Sequence, residues 1–123
     1  MNKRVKEMWV AALRSGDYLP NSGGAMYVYE YNNFEGKPKW HYCPLGVLNN
    51  LRILEIQSDP GTSMNMKPMH QWDGSVLPKD TRDWAELPAC PKVKIYFDEV
   101  TISGLHDYGV PFTTIADLIE EQL

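Results

Sequence analysis

Only two cysteines occur among the 123 residues, Cys43 and Cys90, and they form no C-x-x-C pair. That excludes a disulfide-dense scaffold and the usual multi-cysteine zinc modules. Two reduced, buried thiols are expected, with one long-range disulfide as the lesser alternative. No apolar run approaches the roughly 20 residues that span a bilayer. The opening MNKRVKEMWV also lacks the apolar segment of a signal peptide. A soluble intracellular protein without a membrane partner is expected. No block of Lys or Arg exceeds two residues, and the net charge is −4. A polynucleotide partner needs a basic stripe to displace counterions, so none is expected. The chain has no G-x-S-x-G and no G-x-x-x-x-G-K. It therefore carries neither a nucleophile elbow nor a phosphate loop. No catalytic residue and no cofactor is assigned.

What is present suits one domain over residues 1–123, with 43% apolar residues. A chain of this size buries roughly two-thirds of its unfolded surface and needs no metal to fold. The potential metal donors are His41, Cys43, His70, Cys90, His106 and Asp107. Only His41 and Cys43 share a strand face, and a catalytic site needs three protein ligands, so no metal is expected.

Val5, Met8, Trp9, Ala12 and Leu13 make one helical stripe, closed by Gly16 as a left-handed cap. DYLPNSGG reads as a loop. AMYVYEY (25–31) and PKWHYC (38–43) read as a hairpin turning over Asn32–Lys37. Pairing Tyr31 with Pro38 sets Glu30 opposite Lys39, Tyr29 opposite Trp40 and Tyr27 opposite Tyr42. A one-residue slip loses both the charge pair and the aromatic matching. Pro44 opens a second helix, PLGVLNNLRIL, with Val47, Leu48, Leu51 and Leu54 on its apolar face. Residues 57–76 read as a long loop. LPKDTRDWAEL (77–87) reads as a short helix with Trp84 inward. KVKIYFDEV (92–100) reads as one strand with Val93, Ile95 and Phe97 alternating inward. The last helix carries Phe112, Ile115, Ala116, Ile119 and Leu123 on one face. The expected fold is α+β: a small antiparallel sheet, built from the 25–43 hairpin and the 92–100 strand, packed with three or four short helices.

The first helix opens on Lys3, Arg4 and Lys6, and the last ends on Glu120 and Glu121. Both clusters oppose the helix dipole, so the two ends are expected to lie near one another. Solvated, unpaired ends are the alternative.

WVAALRSGDY, CPLGVLNNL, LPKDTRDWAEL and LHDYGVPFTTIADLIEEQL, in this order and spacing, resemble a family of small uncharacterised phage and prophage proteins. In that family a second cysteine stands where this chain has Pro44, and Asn-Asp where it has His106-Asp107. The resemblance implies a phage-encoded protein acting in the host cytoplasm and carries no agreed activity.

Asp107-Tyr108-Gly109 is turn chemistry, so His106–Asp107 reads as a turn and ligand contact rather than an acid–base pair. The tyrosine-rich hairpin face has three readings: core, homodimer interface, or a platform for a planar ligand. Arg14 is either a phosphate ligand or a capping cation. The ligand-binding candidates are Arg14, Tyr18, Tyr27, Tyr29, Trp40, His41, Trp72, His106, Asp107 and Thr113. The free N–H groups at the start of the last helix, near Thr113 and Thr114, suit a phosphate. The functional expectation is capture, without catalysis, of a nucleotide-type host defence signal. A cyclic dinucleotide or an ADP-ribose derivative fits that description. A protein–protein inhibitor and a histidine hydrolase are the alternatives, and a homodimer or higher homo-oligomer is the expected assembly.

Overall fold

A computed structural model describes residues 1–21, 27–32, 37–56 and 75–123. The hairpin turn, the Ser22–Gly24 segment, His70 and Trp72 lie outside the described residues. For Tyr27 and Tyr29 the description extends to backbone pairing alone.

The elements run α1 (Lys3–Ser15), β1 (Leu19–Pro20), β2 (Tyr27–Asn32), β3 (Lys37–Tyr42), α2 (Pro44–Ile56), α3 (Lys79–Ala85), β4 (Lys92–Ile95), β5 (Asp98–Thr101), α4 (Ile102–Asp107) and α5 (Phe112–Gln122). This is a small α+β fold. The hairpin register is the expected one: Tyr31 faces Pro38, Glu30 faces Lys39, Tyr29 faces Trp40 and Tyr27 faces Tyr42.

The sheet differs from expectation in two ways. Within DYLPNSGG, Leu19 and Pro20 form β1, which runs parallel to β3 beside His41 and Tyr42. Proline serves there because an edge strand can spare its N–H. The 92–100 strand does not join the hairpin. It folds on itself as β4 and β5, a separate two-stranded sheet pairing Val93 with Val100 and Lys94 with Glu99. Tyr96 and Phe97 form its reverse turn, so Phe97 is fully exposed rather than inward.

The turn departs from local preference. Tyr96 sits at φ 58, the left-handed region where a side chain is strained. Because its ring is almost wholly exposed, Tyr96→Gly removes little packing. That variant is expected to gain about 1 kcal/mol in a denaturant titration. A loss of that size would show that the ring packs on something that stabilises the fold.

The core gathers Val5, Trp9 and Leu13 of α1, Leu45, Val47 and Leu48 of α2, and Ile115, Ala116 and Ile119 of α5. The periodic stripes read from the sequence supply these residues apart from Leu45, and at the end of α2 Leu54 is half-exposed rather than inward. Trp84 is partly buried, and its indole N–H donates to Glu55 Oε2 at 2.6 Å. Asn2 caps α1, with Oδ1 accepting from the Val5 N–H at 3.0 Å. Gly16 ends the helix at φ 80, as expected.

The acidic end of α5 does lie against α1: Glu120 shares a shallow cleft with Lys6, Glu7 and Val10. The ion pairs are other than the end-to-end ones, however. Arg14 takes Asp117 and Glu120, while Arg4 takes Glu55. All these groups are substantially exposed, so the pairs orient the helices more than they stabilise them.

The largest local revision is α4. His106 and Asp107 form its last turn rather than a loop, because Thr101 Oγ1 accepts from the Gly104 N–H at 3.0 Å and starts a helix just after β5. A side chain at Gly104 would press against that same oxygen, at 2.8 Å from its Cβ. The helix then closes through Gly109 at φ 90, the glycine freedom expected from Asp-Tyr-Gly. The cysteines are both reduced; Cys43 is buried, but Cys90 is only partly so.

Candidate functional site

Two segments separated by most of the chain meet beside the core. The end of α1 and the strand after it bring Leu13, Arg14, Gly16, Tyr18, Pro20 and Asn21 to one side. The end of α4 and the start of α5 bring His106 and Gly109 through Thr113 to the other. Between them lies a cavity of about 400 Å³. Its size suits a drug-sized ligand. Its surface is mainly apolar, from Leu13, Pro20, Val110, Pro111 and Phe112.

Each polar group on this wall has a defined state. His106 is buried, and its Nε2 lies 2.8 Å from Asn21 Oδ1. A carbonyl oxygen only accepts, so Nε2 carries the proton. Burial lowers the His106 pKa below 6.5, against the opposing pull of Asp107 and the Asn21 hydrogen bond. The ring is therefore neutral at pH 7. It leans on Phe112, with centroids 5.6 Å apart.

Tyr18 stands opposite in an edge-to-face contact with Tyr42, at 4.9 Å and 80°. Its hydroxyl oxygen accepts from Asn50 Nδ2 at 2.8 Å. Burial raises the Tyr18 pKa, so the hydroxyl keeps its proton. Asn50 is itself buried, and its Oδ1 has no hydrogen-bond partner among the described residues.

Arg14 is already engaged. Its Nη2 donates to Asp117 at 2.7 Å and to Glu120. Hydrogen bonding to Asp117, then to Glu120, raises its pKa. One cation shared by two carboxylates leaves no excess positive charge for a phosphate. The N-terminus of α5 is less committed. Pro111 is its N-cap and gives no side-chain hydrogen bond. The N–H groups of the first turn therefore face outward beside Thr113.

Four sequence-derived candidates thus converge on one cavity: Arg14, Tyr18, His106 and Thr113. Asp107 is exposed beside His106 and does not line it. Trp40 and His41 are half-buried on β3; Trp40 and Tyr42 pack against the core, and neither Trp40 nor His41 lines this cavity. Arg52 of α2 lies 3.6 Å from Asp80 and does not line this cavity.

Sequence reasoning missed Asn50 as the partner of Tyr18, and Asn21, Val110 and Phe112 as parts of the site. Pro111 at a helix start was a usable signal for the last two. Nothing local marks Asn21 or Asn50, whose roles depend on partners 85 and 32 residues away.

Burial pushes the Cys43 thiol up to about 11, which keeps it protonated at neutral pH. Among the described residues no cluster of three His, Cys, Asp or Glu could hold a metal. No described helix is long and apolar enough to cross a membrane. A second cleft of about 390 Å³, at Pro88, Cys90, Pro91, Lys92 and Leu123, holds none of the ligand-binding candidates.

The family described as Domain of unknown function (DUF8296) matches residues 1–123, and the chain belongs to it. No curated protein and no solved structure matches the chain.

Proposed function

We propose that this DUF8296 member binds a small nucleotide-type ligand without chemically altering it. The observation that carries this reading is the cavity of about 400 Å³ where Tyr18, His106 and Thr113 face one apolar space. Its apolar wall suits a planar base, and the open first turn of α5 suits an anionic group. The hydrogen bond of His106 Nε2 to Asn21 fixes the orientation of the ring in the wall of the cavity. Following the phage-family resemblance, the biological role is sequestration of a defence signal in the host cytoplasm. Cyclic dinucleotides and ADP-ribose derivatives are the first compounds to try.

A thermal-shift panel of nucleotides tests this directly. A ligand at about 100 times its Kd stabilises the native state by about 2.7 kcal/mol, which is several degrees in Tm. Heating the complex should then release the compound intact. Its disappearance would instead point to the hydrolase reading. A flat panel would remove the proposal.

The protein–protein alternative rests on a different observation. Tyr96, Phe97 and Tyr108 are all almost fully exposed, an arrangement that suits contact with another protein.

A further inference from the structure

The β4–β5 turn and the cavity are complementary in shape and charge. Tyr96 and Phe97 stand wholly exposed at the turn. Tyr96 keeps an aromatic ring at φ 58, where glycine would sit without strain, so the fold itself gains nothing from that ring. The residue after Phe97 is Asp98, exposed and without a hydrogen bond or ion pair among the described residues. Lys94, by contrast, faces Glu99 across the hairpin. The tip therefore presents two apolar rings and one unpaired carboxylate.

The cavity offers the converse. Leu13, Pro20, Val110 and Phe112 line an apolar space of about 400 Å³. At its edge the N–H groups of Phe112, Thr113 and Thr114 have no partner within α5, because the first helical bond runs from the Ile115 N–H to the Pro111 carbonyl. Pro111 brings no side chain to cap them. The tip and the cavity lie at opposite ends of one helix. Next to the turn, the Lys94 N–H donates to Gln122 Oε1 at 2.6 Å, and its carbonyl accepts from Gln122 Nε2 at 2.8 Å. Gln122 ends α5 and Phe112 begins it, about 15 Å away along the helix axis. The tip is thus held away from its own chain's cavity, while that of a second copy is open to it.

We propose that the chain associates head to tail: Phe97 of one copy enters the cavity of the next, Tyr96 covers the mouth, and Asp98 accepts from the open N–H groups of α5. A carboxylate there completes the cap that Pro111 leaves unmade. The contact joins two different surfaces, so every dimer keeps one free tip and one free cavity, and further copies add in one direction. Two rings and the walls around them bury well under the roughly 1,200 Å² of a stable interface, so association is weak, with a Kd on the order of 100 µM. Phe97 and a small ligand exclude one another from the cavity, and the contact stands whatever that ligand is.

Sedimentation velocity on the full chain, from about 10 µM to about 1 mM, tests this across the concentrations where such a weak interface forms. The average mass should rise with concentration. Phe97→Ala changes an exposed side chain and should stay folded while weakening association by about thirtyfold or more. Asp98→Ala should weaken it by about fivefold. Val110→Trp should block the cavity. Phe97→Ala and Val110→Trp should each be monomeric alone, yet their mixture should give a 1:1 dimer that grows no further, since one supplies the cavity and the other the tip. Should Val110→Trp not fold, a photoreactive benzoylphenylalanine at position 97 decides instead, by crosslinking to residues 110–113 of an isotope-labelled second copy. A monomer at every concentration, association untouched by Phe97→Ala, no dimer from the mixture of folded variants, or crosslinks elsewhere would overturn the head-to-tail contact while leaving ligand capture standing. A monomer that binds phosphatidylcholine vesicles through Phe97 would overturn it too, and assign the tip to a membrane surface.

Discussion

Replacing Trp9 with alanine is expected to lower the stability of the domain by about 3–5 kcal/mol, the cost of emptying a large buried aromatic site. Trp9 has no solvent exposure, and its indole N–H donates to the Pro44 carbonyl at 2.9 Å. That one residue therefore joins α1 to the start of α2, both by packing and by a directed bond. Domains of this kind are stable by only about 5–15 kcal/mol, so the variant should populate unfolded protein under mild denaturant. Trp9→Phe separates the two contributions. It keeps most of the ring and loses the donor, and should cost about 1–3 kcal/mol. Urea titration followed by circular dichroism reads both values. A loss below 1 kcal/mol in Trp9→Ala would mean that α1 is not the backbone of the core.

The second large effect concerns His106. Its replacement by alanine at pH 7 should cost about 2–3 kcal/mol, since it removes a buried donor and opens space beside Phe112. The penalty is expected to depend on pH, and its sign follows from the direction of the pKa shift. Burial lowers the folded-state pKa below the unfolded value of 6.5. The neutral ring therefore contributes stability that is present above about pH 6.5. It is lost as pH falls through the folded-state value, because the unfolded chain takes up the proton first. The gap between wild type and His106→Ala should thus narrow on acidification from pH 7. Denaturant midpoints for both proteins across pH 5–7.5 measure it. A gap that widens on acidification would mean that the folded protein favours the charged ring, contrary to the burial argument. The same proton would enter the cavity wall, so ligand affinity is expected to change over the same interval.

Much of the local structure was legible because it repeats. The stripe from Val5 to Leu13 and that from Phe112 to Ile119 place apolar residues at helical spacing, and both became core. The hairpin register followed from matching Glu30 to Lys39 and Tyr29 to Trp40, since a slip inverts every side chain. Where period failed, so did the reading. Val93, Ile95 and Phe97 alternate like a strand, but a tight turn at Tyr96 interrupts them, with no Gly or Asn to announce it. His106–Asp107 looked like a turn because Asp, Tyr and Gly follow. The Thr101 cap, five residues earlier, made it a helix.

The amino-acid order by itself determined the α+β class, the three longest helices, the hairpin pairing and the left-handed caps at Gly16 and Gly109. Each depends on dihedral preferences or side-chain periods acting over a few neighbours. Only the tertiary structure decided that Asn21 meets His106, that Asn50 holds Tyr18, and that Arg14 is shared by Asp117 and Glu120. Those contacts join residues 32 to 106 positions apart. The chain can make them only after α1, α2 and α5 have packed, when burial of the apolar stripes fixes which polar groups face one another.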